Sequence, residues 1–347
     1  MKCPGSRCKP YLAPGTMIAA WCCAFAITHA GADDEKEVAT ERTFAPKHVP
    51  ASQVEPLPDD KATFTYFDKE RTRFHFGKDL RRPFWFPLVG PDGKSLTRMG
   101  HPHDPVTHSH HNSLWISHAS VDGINFWGDQ GKGLGRIVTR QVSEYEDVDD
   151  FSAMRSVHHW IDETSGDVLL IEYRRCEVRP FAGAKEDSKD DWMLVIDLEF
   201  NVPDGRAATT FDSSGFGIIG VRMAKTIGVH DGGGRILNSE GQWNEEEVFR
   251  KPARWVDYSG AVTDSAAGGI SLMDHPGNPN FPSPFHVRND GWMGACLNLD
   301  EPIVVTGEQP LRLRYGLWIH RGVPAKDLAD AAWQSFSKLD PVSARKP

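Results

Sequence analysis

What this chain has little of narrows it before any motif does. Four of its six cysteines, Cys3, Cys8, Cys22 and Cys23, lie in the first 23 residues, and only Cys176 and Cys296 come later. If the N-terminal segment is removed on export, at most one disulfide can form, so the fold must rest on its apolar core. Positive charge is also short: 39 basic residues face 48 acidic ones, a formal charge of −9. That balance argues against nucleic acid and against anionic membrane surfaces, which attract basic patches. Beyond residue 30 no stretch approaches eighteen consecutive apolar residues, so no membrane span is expected. There is no internal repeat and no linker long enough to divide domains.

The N-terminus reads as a targeting segment. Lys2, Arg7 and Lys9 form a positive region, 17–27 is an apolar run of eleven residues, and small residues around Ala30 and Ala32 offer cleavage points. Eleven apolar residues are too few for a bilayer that needs about twenty. Residues 1–30 are therefore expected to be a secretory signal peptide, and the protein to be exported to the periplasm or beyond. Cys22 and Cys23 lack a convincing lipobox, so lipid anchoring is not expected. Removing three of the 39 basic residues moves the charge from −9 to −12. Residues 31–61 are polar, proline-bearing and aperiodic, which predicts a flexible leader before a single domain over 62–340.

Within that domain the apolar spacing is two, the period of strands with one buried face. Short candidates at 63–68, 71–77 and 83–89 are followed by longer ones at 136–146, 153–162, 168–178 and 192–201. Further ones lie at 209–212, 215–223, 235–237, 254–258, 270–273, 292–299, 303–306 and 311–320, with turn residues between them. In 192–200 the pattern predicts a half-buried strand, with Asp197 and Glu199 on its solvent side. One helix is predicted, over 324–339, opened by Pro324 and marked by Leu328, Ala332 and Phe336 at spacing four. About fifteen strands and one terminal helix predict an all-β fold, a large antiparallel β-sandwich of two sheets, one of them concave enough for a ligand groove. The last strand places Arg312, Arg314, Trp318 and His320 on one face, suited to a polar ring-shaped ligand or else to solvent.

The stretch 101–129 carries the chemistry. Six of the fifteen histidines, His101, His103, His108, His110, His111 and His118, fall within eighteen residues, followed by Phe126 and Trp127. Imidazole titrates near neutrality, binds metals and both donates and accepts hydrogen bonds. Three readings follow. His108 and His110 could bind a transition metal with a third ligand from His118, His275 or His286, although no HExxH or two-His-one-carboxylate spacing is present. His110 or His111 could instead exchange protons with a sugar hydroxyl or ring oxygen. Several of the rings could also be surface or core residues, the preferred reading for His101 and His103. Phe126 and Trp127 are expected to pack rather than to face a ligand.

The runs HSHHNSLW (108–115) and VDGINFW (121–127) resemble the signature of the bacterial family DUF6807, also labelled "methane oxygenase PmoA". GFGIIGVRMA (215–224), ILNSEG (236–241), PARWVDYSG (252–260), DHPGNPN (274–280), PFHVR (284–288) and 313–320 agree in order, and the likeness spans about 65–322. The methane oxygenase of that name is a polytopic helical protein, which this chain cannot be. The resemblance implies a sandwich similar to the galactose-mutarotase supersandwich, found mainly in enzymes acting on carbohydrate. It also implies that Arg222 lies on a glycine-rich strand like one in mutarotase-like enzymes, free to grip a carboxylate or hydroxyls, or else paired with Asp212 or Glu240.

Glu240, in a turn between strands, is the best carboxylate for a general base, with Asp257 and Asp274 more suited to fixing turns or orienting histidines. The proline-stiffened loop 274–288 is expected to close over the groove beside the histidines. Trp115, Trp127, Trp255 and Trp318 could stack on a sugar, though each is more often core. The expectation is thus an exported protein performing acid/base chemistry on a sugar or oligosaccharide, of epimerase, lyase or hydrolase type. Its catalytic set is His110, His111, Arg222, Glu240 and His275, and its ligand-binding set His118, His286, Arg288, Arg314 and Trp318. No metal or other cofactor is favoured; if a metal is bound, His108, His110 and His286 would hold it. The alternatives are a metal-dependent oxidoreductase and a non-catalytic glycan-binding module.

Overall fold

The computed structural model describes residues 45–181 and 190–346. The signal peptide and the first part of the leader lie outside the described residues. The remainder forms two large antiparallel sheets. The first contains nine strands in the order β1 (Ser52–Leu57), β2 (Lys61–Tyr66), β3 (Lys69–His75), β4 (Phe84–Leu88), β5 (Leu114–His118), β11 (Ser214–Arg222), β17 (Trp292–Asn298), β16 (Pro284–Arg288) and β13 (Lys251–Pro252). The second contains eight: β12 (Arg235–Asn238), β14 (Trp255–Thr263), β15 (Ala266–Asp274), β19 (Leu311–Arg321), β9 (Trp192–Asn201), β8 (Val168–Pro180), β7 (Ser152–Asp162) and β6 (Gly135–Asp147). A two-stranded ribbon joins β10 (Ala208–Phe211) to β18 (Ile303–Thr306).

The sheets face each other across one core. Ile116, Ile219, Phe285 and Met293 from the nine-stranded sheet share it with Leu170, Ile196, Ile270 and Tyr315 from the eight-stranded sheet. This is the predicted all-β sandwich, and most strands lie within a residue or two of their expected bounds. Three differences concern edges and short elements. β1 falls inside the expected leader and pairs with β2, Val54 opposite Phe64, because alternation over only six residues is hard to tell from a polar tail. β5 and β16 are hidden in segments whose histidines drew attention away from their period of two. Two short helices, α1 (Val229–Gly232) and α2 (Asn244–Val248), join the predicted terminal helix α3 (Lys326–Ser337).

β9, in the middle of the eight-stranded sheet, is buried on both faces, which corrects the half-buried expectation for it. α3 lays Ala329, Ala332 and Phe336 over Met193, Val195, Trp255 and Trp318. Asp197 and Glu199 then meet cations rather than water, Arg314 Nε at 2.7 Å and Arg312 Nε at 2.9 Å. Most of the polar face of β19 is covered: Trp318 and His320 are buried and Arg314 donates to the carbonyls of Leu339 and Asp340, while Arg312 stays exposed. Asp257 accepts from His320 Nε2 at 2.8 Å and from Ser259 and Ser271 within the same sheet. Cys176 and Cys296 are separate buried thiols, so the single disulfide that the count allowed is not formed. Among the described residues no helix is long and apolar enough to cross a membrane.

Phe336→Ala removes a fully buried ring from the α3 interface and should lower unfolding stability by about 3–5 kcal/mol in denaturant titration. A loss below about 1 kcal/mol would show that α3 is not part of the cooperative core.

Candidate functional site

Period two places the site on the outer face of the nine-stranded sheet. Along β16, Phe285 and Val287 enter the core, so His286 and Arg288 point the other way; along β11, Ile219 and Val221 enter it, so Gly220 and Arg222 point out. The register then sets two rows. Trp115, Gly220, Gly294 and His286 lie side by side on β5, β11, β17 and β16, and Arg222, Trp292 and Arg288 form the next row. The two glycines make room for the indole. A Cβ on Gly220 would stand 2.4 Å from the Trp292 ring and one on Gly294 3.0 Å from it. Trp292, Trp115, Trp127 and Phe84 consequently pack as an aromatic floor.

The walls are two loops held by one buried guanidinium. Arg82 donates to the His110 carbonyl and Asn112 Oδ1 on one side, and to the Phe126, Trp127 and Gly128 carbonyls and Asp129 Oδ1 on the other. Loop 100–112 is further closed by Gly100 N donating to the His111 carbonyl. The result is a cavity of about 470 Å³ lined by His101, His108, His110, His111, His286, Arg222, Arg288, Asp290, Asn125, Trp127, Phe216 and Trp292, among others. Phe216 is the one aromatic of the lining that is clearly open, 41% exposed.

Hydrogen bonds assign the rings. His101 Nδ1 accepts from the backbone N–H groups of His103 and Asp104, so its proton is on Nε2 and is donated to Asp290 Oδ2 at 2.9 Å. His286 Nδ1 lies 3.1 Å from the Gly215 carbonyl, which can only accept, so the lone pair is on Nε2. His108 Nδ1 faces Asp104 Oδ2 and Thr107 Oγ1, each at 2.9 Å. His111 is stacked against both Trp115 and Trp292, with interplanar angles of 26° and 17°, and its buried Nδ1 has no hydrogen-bond partner among the described residues.

Burial disfavours a proton on His110, His111 and His286. Burial pushes His286 down to about 4, reinforced by Arg288 and Arg250. Burial and Arg82 bring His110 to about 4; burial, His110 and Arg222 bring His111 to about 2. Burial alone would raise the Asp290 carboxyl, but Arg222 and His101 outweigh it and hold it below the usual carboxylate range. Among the described residues no three His, Cys, Asp or Glu side chains are placed to hold a metal ion, so the set His108, His110 and His286 does not form one.

A family model described as a family of unknown function, DUF6807, matches residues 61–334. The chain belongs to the DUF6807 family. That description names no activity, and the methane oxygenase label is no part of it. No curated protein matches the chain. A solved structure from Salmonella typhimurium described as "a putative mutarotase (YeaD)" aligns over 81% of this chain and 97% of its own, at 12% identity and a TM-score of 0.35. A superposition that loose carries no argument.

In this DUF6807 chain the structure brings together His108, His110, His111, Arg222, His286 and Arg288 from the expected set, and not the others. His118 is buried away from the cavity, its Nε2 on Asn298 Oδ1 at 2.9 Å. Glu240 is exposed in its turn, bonded to Ser239 Oγ. His275 and Arg314 line a different depression beneath the C-terminal tail, and Trp318 lies under α3. Arg222 pairs with Asp290, not with Asp212 or Glu240. Loop 274–288 does not close over the cavity: Asp274 pins its first half to Asn278 and Ser283, and its second half is β16.

Several lining residues were missed or misjudged. His101, expected to be a surface or core residue, is in the cavity wall, and so is Trp127, for which packing was preferred over stacking on a ligand; Phe216 and Asn125 were not singled out. Trp292 looked like any strand residue, and Asp290 like a turn former in Asn289-Asp290-Gly291. The sole sequence signal for Asp290 was that turn's position immediately after PFHVR.

A depressed imidazole pKa has a stability consequence. Between about 6.5, the unfolded value, and the folded values near 4 for His110 and His286, the unfolded chain binds protons that the folded chain refuses. Stability should therefore fall as pH drops through this window and be insensitive to these groups above it. His286→Gln should flatten that decline by about 1 kcal/mol per pH unit, measured as the difference in unfolding free energy between variant and native protein from pH 7 to 4.5. An unchanged slope would mean the ring is protonated in the fold.

Proposed function

We propose that the cavity binds a sugar or oligosaccharide and carries out acid/base chemistry on it, with His286 Nε2 as proton acceptor and His110 as the second proton-transfer group. The observation that carries this reading is His286 itself. Its Nδ1–H is committed to the Gly215 carbonyl, so a lone pair is held on the nitrogen that remains, in a ring kept neutral by burial. A base must be deprotonated at the working pH, and this ring is so at every pH above about 4.

The surroundings support a hydroxylated ligand. Each neutral imidazole offers one donor and one acceptor, as a hydroxyl does. Phe216, with its ring 4.8 Å from His286, is exposed for stacking against the apolar face of a pyranose. The cavity volume lies within the range of about 300–1,000 Å³ usual for small-molecule sites. Asp290 would orient a hydroxyl, and His111, which lines the cavity, would bind one directly. Export, in line with the signal-like N-terminus, would place this activity on extracytoplasmic carbohydrate.

Turnover on a panel of glycans should fall by about 10²–10⁴-fold in His286→Ala and His110→Ala, with the fold checked by circular dichroism. Native-like turnover in both variants would sink these roles.

A further inference from the structure

A cavity lined by two arginines and a group of histidines looks at first like an anion site, suited to a uronic acid or a sugar phosphate. The pairing of its charges points elsewhere. Arg222 is fully buried, and both ends of its fork are used by one residue: Nη1 donates to Asp290 Oδ1 at 2.9 Å and Nη2 to the Asp290 carbonyl at 2.8 Å. The other Asp290 oxygen is taken by His101 Nε2. Arg288 is engaged more loosely: Nη1 alone donates to Glu245, whose second oxygen accepts the Asn289 N–H at 2.9 Å, and its side chain stays partly exposed. Each cation thus meets a carboxylate, and burial disfavours a proton on His110, His111 and His286.

We infer, on the reading that this cavity takes a sugar, that its ligand is an uncharged hydroxylated ring, and that Asp290 determines this by closing Arg222 to anions. An incoming carboxylate would find the guanidinium already forked onto Asp290 and would lie beside that carboxylate's own negative charge. Like charges in a partly enclosed site repel more strongly than in water. The free nitrogen gives the same answer. His286 Nε2 carries a lone pair, so it needs a donor. A hydroxyl supplies one, whereas an ionised carboxylate or a fully ionised phosphate can only accept.

The test uses matched pairs on the full chain: methyl hexopyranosides, the corresponding methyl hexuronates, and hexose 6-phosphates, measured by calorimetry at pH 7.5. The neutral members should bind, and their acidic counterparts about tenfold more weakly or worse. Asp290→Asn should narrow or invert that ratio by freeing the Arg222 fork. Glu245→Gln, at the cavity rim, should narrow it through Arg288 without touching Arg222, and it carries the test if Asp290→Asn fails to fold. Loss of neutral binding with an unchanged ratio would mark Asp290 as merely structural and overturn its role. Tighter binding of the uronate or phosphate by the native protein would overturn the inference and leave the sugar reading standing. Failure of every neutral and acidic member to bind would remove that reading and the inference with it.

Discussion

The site depends on Arg82 more than on any histidine. A buried guanidinium is costly unless its donors are met, and this one distributes its N–H groups over two loops that otherwise meet only through surface contacts such as Ser109 to Asp129 and Gln130 to the Val106 carbonyl. On one side it fixes the His110 carbonyl and Asn112, on the other the backbone from Phe126 to Gly128 and the Asp129 carboxylate. Burial lowers its pKa, with Asp129 acting in the opposite sense, and its charge in turn disfavours a proton on His110. The residue that shapes the cavity thus also helps to keep its chemistry neutral.

The sandwich gives the two outer faces different work. On the eight-stranded sheet α3 and the C-terminal tail cover most of the polar residues of β9 and β19, and the ion pairs there replace solvent. On the nine-stranded sheet α2 packs at the β16 edge, and the loops around the histidines form walls beside β5, β11 and β17 instead of a cover. Gly220 and Gly294 let the Trp292 ring lie against the sheet, and that ring in turn supports His111. The floor is rigid because it is strand; the walls are irregular, but their backbone is fixed by a buried charge network.

Much of this could be read in the sequence, for identifiable reasons. Strands longer than about nine residues announce themselves by period two, and β6 to β9 and β19 fell close to their predicted bounds. The histidine run pointed to the right loop, and His286 and Arg288 to the right segment, although that segment was expected to be a loop and is β16. What could not be read were partners remote in the chain. Arg82 lies outside every histidine-rich motif, and Asp290, which meets His101 across 189 positions, had the look of a turn residue. The face of β19 was misread because nothing local says that a helix from beyond residue 325 will cover it. Glu240 and His275 were chosen for residue type and loop position, and the sheets send them elsewhere.

The central claim is that the cavity presents neutral imidazoles of fixed tautomer to a hydroxylated ligand. Histidine-selective ¹⁵N NMR at pH 5.5 tests it most directly, because a free imidazole is largely protonated there. The account predicts that the rings of His110, His111 and His286 remain neutral, with His286 protonated on Nδ1 and unprotonated on Nε2. Imidazolium signals from these three rings at that pH would contradict it.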